Sequence, residues 1–393
     1  MYSIILAIIY LAFISMGLPD SLLGAAWPVM QGGLGVPLSY AGILTMTISG
    51  GTIVSSLLSD RLIRRFGAGK VTAVSTGMTA LALFGFSAST RFWMLWLCAI
   101  PYGLGAGSID AALNNYVALH YSSRHMSWLH ACWGVGVTIS PYIMSAALTA
   151  QKGWQSGYHT VGWIQICLTA VLFATLPLWK KVKWPAEQEE VKPKLLSIRE
   201  AVKIPGFPCV MVEFFAFCAV ENCAGLWAST YLVEHRGVGV ETAARFASLF
   251  YTGVMVGRFL NGFIADRFGD KKMIRTGIYI MLVGIAMVAL PVQTDLSALT
   301  GLVVIGLGSA PIYPCIIHST PTDFGRENSQ SLVGMQMASA YVGSTFTPPI
   351  FGLIAQHISV ALYPAYLLFF TLLVLLMTHL LAKALAKNRE KTA

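Results

Sequence analysis

The sequence predicts an all-α integral membrane protein with twelve transmembrane helices, arranged as two pseudo-symmetric six-helix halves. Three observations carry this. Only 11% of the 393 residues are charged, against roughly 25% in soluble domains, so a water-facing surface cannot be covered and most of the outside must meet lipid. Mean hydropathy is +0.67, and the apolar runs reach the roughly 20 residues that a helix needs to cross the hydrocarbon core. Polar and small residues also recur in the same order in both halves, at an offset of about 200 residues. A transmembrane barrel is excluded, because it would show short alternating segments instead of long continuous runs.

The spans follow in order. Span 1 (3–29) carries one charge, Asp20, beside a Gly17-Leu18-Pro19 break. It is too long and uninterrupted for a removable signal peptide. Span 2 (39–62) is apolar until Asp60-Arg61, span 3 (71–89) lies between Lys70 and Arg91, and span 4 (92–119) holds only Asp110. Span 5 (127–150) lies between Arg124 and Lys152, and span 6 (160–179) closes at Lys180-Lys181. Span 7 (206–233) holds Glu213 and Glu221, and span 8 (242–264) holds Arg258. Spans 9 (273–292), 10 (296–320), 11 (329–356) and 12 (360–384) complete the set. The long polar stretch from 180 to 205, with Pro185, Glu187, Glu189, Glu190 and Pro193, divides the chain near its middle. The expected organisation is an N-terminal half at 1–183, a cytoplasmic linker at 184–205 and a C-terminal half at 206–393.

Orientation follows from the basic residues. Of the 26 Lys and Arg, all but Arg91, Lys152, Arg236, Arg245 and Arg258 fall in loops or termini on one side of this topology. Both termini are therefore expected in the cytoplasm, in a bacterial-type inner membrane. The net charge of +9 is accounted for by this topology and is no nucleic-acid signal. The seven cysteines all lie in spans without ligand-like spacing and read as small apolar fillers. No Walker sequence, catalytic triad pattern or metal-ligand spacing occurs. The expectation is a transporter with no catalytic residues, metal or cofactor, and its partners are the bilayer and a small solute.

The halves repeat one another. Asp60-Arg61, followed by Arg64-Arg65-Phe66-Gly67, corresponds to Asp266-Arg267-Phe268-Gly269. Gly103-Leu104-Gly105 corresponds to Gly306-Leu307-Gly308, and Gly136 and Pro141 correspond to Gly343 and Pro348. Asp20 with Gly24 and Trp27 matches Glu221 with Gly225 and Trp227. Duplication of this kind places a solute site at the repeat interface near midplane.

On these residues the whole chain resembles the major facilitator superfamily, whose members place a GxxxDRxGxKK-like sequence after spans 2 and 8. Gly262, Asp266, Arg267, Gly269, Lys271 and Lys272 match it; the first copy departs, with Ser56 for the glycine and two extra residues before Arg64-Arg65. Within the superfamily, Gly17-Leu18-Pro19-Asp20, Leu113-Asn114-Asn115-Tyr116, Trp128-Leu129-His130-Ala131 and Gly257-Arg258-Phe259 are similar to the fucose-permease branch. That resemblance implies the major facilitator fold, a monomer, and cation-coupled sugar uptake by alternating access. It also implies that Asp20 and Asp110 carry the proton and bind sugar.

A charged side chain at the bilayer centre costs roughly 2.5–3.5 kcal/mol on insertion scales, so the intramembrane acids must face a cavity or a partner. Asp20, Asp110 and Glu221 are the expected proton-coupling residues, with H+ as the coupling ion and Na+ as the alternative. Glu213 and Arg258 lie at equal depth on neighbouring helices and are expected to form a buried ion pair. Sugar hydroxyls call for planar hydrogen bonding from Asn114, Asn115, Asn222, Gln165 and Gln336. The C–H face of a sugar calls for Trp27, Trp133 or Trp227, for each of which helix packing is the competing role. His130 is assigned to a cytoplasmic gate or to sugar, and His318 to structure. Asp60, Arg61, Arg64, Arg65, Asp266 and Arg267 are expected to fasten the inner gate. The rival function is export of drugs, lipids or metabolites against a proton, although span 4 lacks the embedded arginine usual in proton–drug antiporters.

Overall fold

The structure, a computed structural model, describes residues 2–37, 40–181, 194–290 and 295–392. Pro185, the Glu187, Glu189 and Glu190 cluster and Pro193 of the linker lie outside the described residues. Among the described residues all regular structure is helical.

The helices are α1 (Tyr2–Asp20), α2 (Leu22–Leu34), α3 (Tyr40–Phe66), α4 (Ala68–Ala88), α5 (Phe92–His120), α6 (Ser123–Thr149) and α7 (Gly153–Lys181). After the short α8 (Ile198–Ala201) come α9 (Phe207–Glu234), α10 (Val240–Phe268), α11 (Asp270–Ala289), α12 (Leu296–Ser309), α13 (Ile312–Phe324), α14 (Ser329–His357) and α15 (Tyr363–Thr392). Span 1 is therefore two helices broken at Ser21, and span 10 is two helices broken at Ala310 and Pro311. Other spans run past their apolar windows. Asp60 to Arg65 lie on the last turns of α3 and not in a loop, because a helix end outside the hydrocarbon needs no hydrophobicity to remain hydrogen-bonded.

Among the described residues, nine segments are long and apolar enough to cross a membrane. The remaining spans of the twelve-helix plan are α4, α10 and α14. α4 and α14 reserve polar side chains for the interior: Thr72, Ser75, Thr76 and Thr79 on α4, and Ser329, Gln336 and Thr347 on α14, are buried. A helix screened from lipid by its neighbours can carry hydroxyls and amides that a lipid-facing one cannot.

Contacts divide the chain into two units: Met1–Tyr116 with Leu129–Leu195, and Val117–Trp128 with Leu196–Ala393. In the first, α4 packs along α7, and α1 along α7. A β-carbon added at Gly136 of α6 would land on the Ile14 carbonyl of α1, so only glycine permits this crossing. In the second unit, α9 packs against α14, α15 and α10, and α11 against α12. Gly343 of α14 stands in the same relation to the Phe215 carbonyl of α9. The two glycines paired by the sequence repeat thus bring corresponding helices into backbone contact, the small-residue packing that membrane helices use without a hydrophobic driving force.

Candidate functional site

The first unit contains a cavity of about 500 Å³, walled by α1, α2, α3, α4, α5 and α7. Asp20, at the α1–α2 break, is its one carboxylate, and Trp27, Phe86, Tyr102 and Tyr158 supply aromatic walls. Tyr102 Oη donates to Asp20 Oδ1 at 2.9 Å, and Trp133 Nε1 donates to Asp20 Oδ2 at 2.8 Å. Both partners of the acid are neutral donors. The Tyr158 hydroxyl is buried and has no hydrogen-bond partner among the described residues.

The break that presents Asp20 is built locally. Pro19 has no N–H, so the Ser15 carbonyl one turn earlier loses its helical donor. Gln165 of α7 replaces it: its Nε2 donates to the Ser15 carbonyl at 2.6 Å, and its Oε1 accepts from Ser15 Oγ at 2.6 Å. Beyond the break, Ser21 Oγ donates to the Val137 carbonyl of α6 at 2.7 Å. Gln165, 1% exposed, thus spends both ends of its amide on Ser15. Gln165→Leu leaves an orphaned buried carbonyl, at a cost of about 1–3 kcal/mol. The expected result is a lower unfolding temperature in detergent with unchanged solute affinity; lost affinity at unchanged stability would return Gln165 to the solute site.

Asp110 sits in a separate buried chain in this unit. Asn114 Nδ2 donates to Asp110 Oδ1 at 2.6 Å, and Asn114 Oδ1 faces His130 Nε2 at 3.0 Å. The His130 ring meets Phe13 edge-on at 5.5 Å. Asn114, Asn115 and His130 are all buried, and none of them lines the cavity.

In the second unit the expected Glu213–Arg258 pair is replaced by another. Arg258 Nη2 lies 2.8 Å from Glu221 Oε1, and its guanidinium lies over the Tyr313 ring at 5.9 Å. Glu213 instead accepts from Thr378 Oγ1 of α15 at 2.7 Å. Equal depth on adjacent helices was not sufficient, because the facing direction around each helix decides the partner. Asn222 donates to the Cys218 carbonyl, Trp227 Nε1 to the Pro348 carbonyl at 2.9 Å, and Gln336 accepts from Thr320. All three contacts lie within the second unit.

The repeated acidic motifs have also diverged. Asp60 pairs with Arg64 of its own helix at 2.6 Å. Arg65 and Arg267 lie over the rings of Phe66 and Phe268 at 5.3 and 5.9 Å, and Arg61 is exposed. Asp266 accepts from the Arg124 backbone N–H at 3.0 Å and from Ser122 Oγ at 2.9 Å, with Arg124 Nε at 3.3 Å. It caps the N-terminus of α6, satisfying one of the four donors that a helix start leaves open and placing negative charge at the positive end of the helix dipole.

Sequence reasoning missed Tyr102, Tyr158, Ser15 and Asp270. Tyr102 follows Pro101 and opens the glycine run of α5, and Tyr158 lies one turn from Trp154 on α7. Nothing in the local sequence marks either position, and the cavity lining singles them out. Among the described residues no group of three or more His, Cys, Asp or Glu gathers as a metal site.

A duplicated set of membrane-crossing helices with an acid facing a cavity defines a multi-pass transporter of small solutes, not an enzyme. The profile of the Major Facilitator Superfamily matches residues 9–339 and 214–393, and the chain belongs to that family. Bypass of stop codon protein 6 of Saccharomyces cerevisiae is 23% identical over 299 residues, covering 69% of this chain and 59% of that protein. The glucose/galactose transporter of Brucella abortus is 24% identical over 329 residues, covering 80% of this chain and 78% of its own. Among solved structures, the fucose:proton symporter of E. coli shares the fold, with a TM-score of 0.73, 15% identity and coverage of 96% of this chain and 98% of that one.

Proposed function

We propose that the protein is a proton-coupled symporter that takes up a sugar or similar small polar solute by alternating access, with Asp20 carrying the proton. The observation that carries this is the setting of Asp20. The acid lines a cavity of about 500 Å³ and is held by the neutral donors Tyr102 and Trp133. Such a carboxylate can accept a proton without stranding a cation. Protonating Glu221 instead would remove the counter-charge that the buried Arg258 faces at 2.8 Å, at an energetic cost that Asp20 does not incur. Asp110 is the second carrier, relayed through Asn114 to His130. The names of the Brucella and E. coli proteins support the sugar class, and the basic-residue bias supports an inner-membrane protein with both termini cytoplasmic. On that orientation Asp60, Arg61, Arg64, Arg65, Asp266 and Arg267 belong to the cytoplasmic gate.

One observation favours a second reading, export of an amphiphilic or cationic solute against protons. The cavity wall offers one carboxylate and four aromatic rings, while Asn114, Asn115 and Gln165 lie outside it. Purified protein in liposomes, given labelled monosaccharides under an inward proton or sodium gradient, separates the readings. Gradient-driven uptake of one sugar is expected. No sugar uptake under either gradient, with proton-driven movement of an organic cation, sinks the symport reading in favour of the second.

A further inference from the structure

We propose that His318 is a further proton-binding site, whose imidazolium fastens the turn between α5 and α6 to the rest of the C-terminal unit. His318 Nδ1 lies 2.7 Å from Asp270 Oδ2, and Nε2 lies 3.0 Å from the Tyr121 carbonyl oxygen. Both partners accept only. A neutral imidazole has one N–H and would set a lone pair against one of them, whereas the imidazolium donates to both. The ring is 19% exposed and Asp270 15%, so the pair is largely desolvated, which strengthens the bond.

The surroundings favour that cation. On α11, Asp270 also accepts from Ser123 Oγ at the start of α6 at 2.5 Å. On α10, Asp266 adds negative charge, with Arg124 of the first turn of α6 already paired to it. His125 of α6 meets the Tyr121 ring edge-on at 5.6 Å, and the Cys315 thiol of α13 lies 3.8 Å from Ser123 Oγ. Lys271 beside Asp270 is bound to Asp323 at 2.6 Å. Arg326 Nη2 donates to the Leu119 carbonyl at 2.8 Å, a pH-insensitive tie on the same segment. The docked turn thus binds one more proton than the released turn. Docking is complete while His318 is protonated and weakens as pH rises and that proton is lost.

The site uses neither Asp20 nor the solute, and its test is independent of transport. Hydrogen–deuterium exchange is measured on Val117–Trp128 in the full-length protein, corrected for intrinsic exchange, between about pH 6 and about pH 9, a window that brackets ordinary histidine titration. Wild type is expected to lose protection about tenfold across this range, the equivalent of one charge-assisted hydrogen bond. His318→Gln, which cannot carry the charge, is expected to be flat at the weakly protected level. His318→Arg, a fixed cation, is expected to stay protected throughout. Flat wild-type protection overturns the proposal, as does a fall of wild-type size in either variant. A failure of sugar transport in the liposome assay leaves this result unaffected.

Discussion

Asp20→Asn is expected to abolish concentrative uptake while leaving solute exchange down its own gradient intact. The carboxylate must bind and release one proton in each transport cycle. One proton moving down 100 mV releases about 2.3 kcal/mol, which sustains roughly fifty-fold accumulation. A carrier that cannot bind the proton equilibrates solute at a ratio of one. Asparagine keeps the volume of aspartate and one acceptor, so Tyr102 Oη can still donate to it, but its amide nitrogen would meet the Trp133 indole N–H donor to donor. The cavity should therefore survive with weaker anchoring on the α6 side, and the variant should still bind solute. Uptake under an imposed gradient and counterflow without one separate the two properties. Retained fifty-fold accumulation in Asp20→Asn would remove this acid from coupling and leave the Asp110–Asn114–His130 chain as the carrier. Loss of counterflow as well would make Asp20 a solute ligand in addition.

The parts of this molecule written in composition were legible in its sequence, and the parts decided by helix rotation were not. Lipid as a solvent forces long apolar runs and collects lysine and arginine on one side, so the spans could be placed without knowing a single contact. The duplication was also legible, since Gly136 and Gly343 sit where corresponding helices touch. Side-chain direction was not. Glu213 and Arg258 have matching depths, yet Arg258 turns to Glu221 and Glu213 to Thr378. A mid-span amide such as Gln165 needs a partner, and a sequence does not show that one partner is a carbonyl freed by Pro19 on another helix. The fate of Asp60 and Asp266 separated for a similar reason. The same motif meets an arginine on its own helix in one copy and the open N-terminus of α6 in the other.

The pseudo-equivalent acid, Glu221, is resolved by breaking its pair in two steps. Arg258→Met is expected to be among the most destabilising substitutions in the chain, because Arg258 is 4% exposed and its removal strands Glu221 in the interior. Removing one partner of a buried pair costs about 3–5 kcal/mol, whereas replacing both is often neutral or stabilising. The double variant Glu221→Gln with Arg258→Met should therefore regain most of the lost stability, and a double-mutant cycle on detergent unfolding would show strong coupling between the sites. Simple additivity of the two losses would mean that the contact contributes nothing, and the orientation of Arg258 over Tyr313 would then need another cause. Transport by the double variant decides the second question. If Glu221 is only a counter-ion, a carrier with both charges gone and its fold restored should still accumulate solute. If Glu221 shuttles the proton by releasing Arg258, the same stable protein should exchange solute without concentrating it, and the coupling assigned to Asp20 would have to be shared across the two repeats.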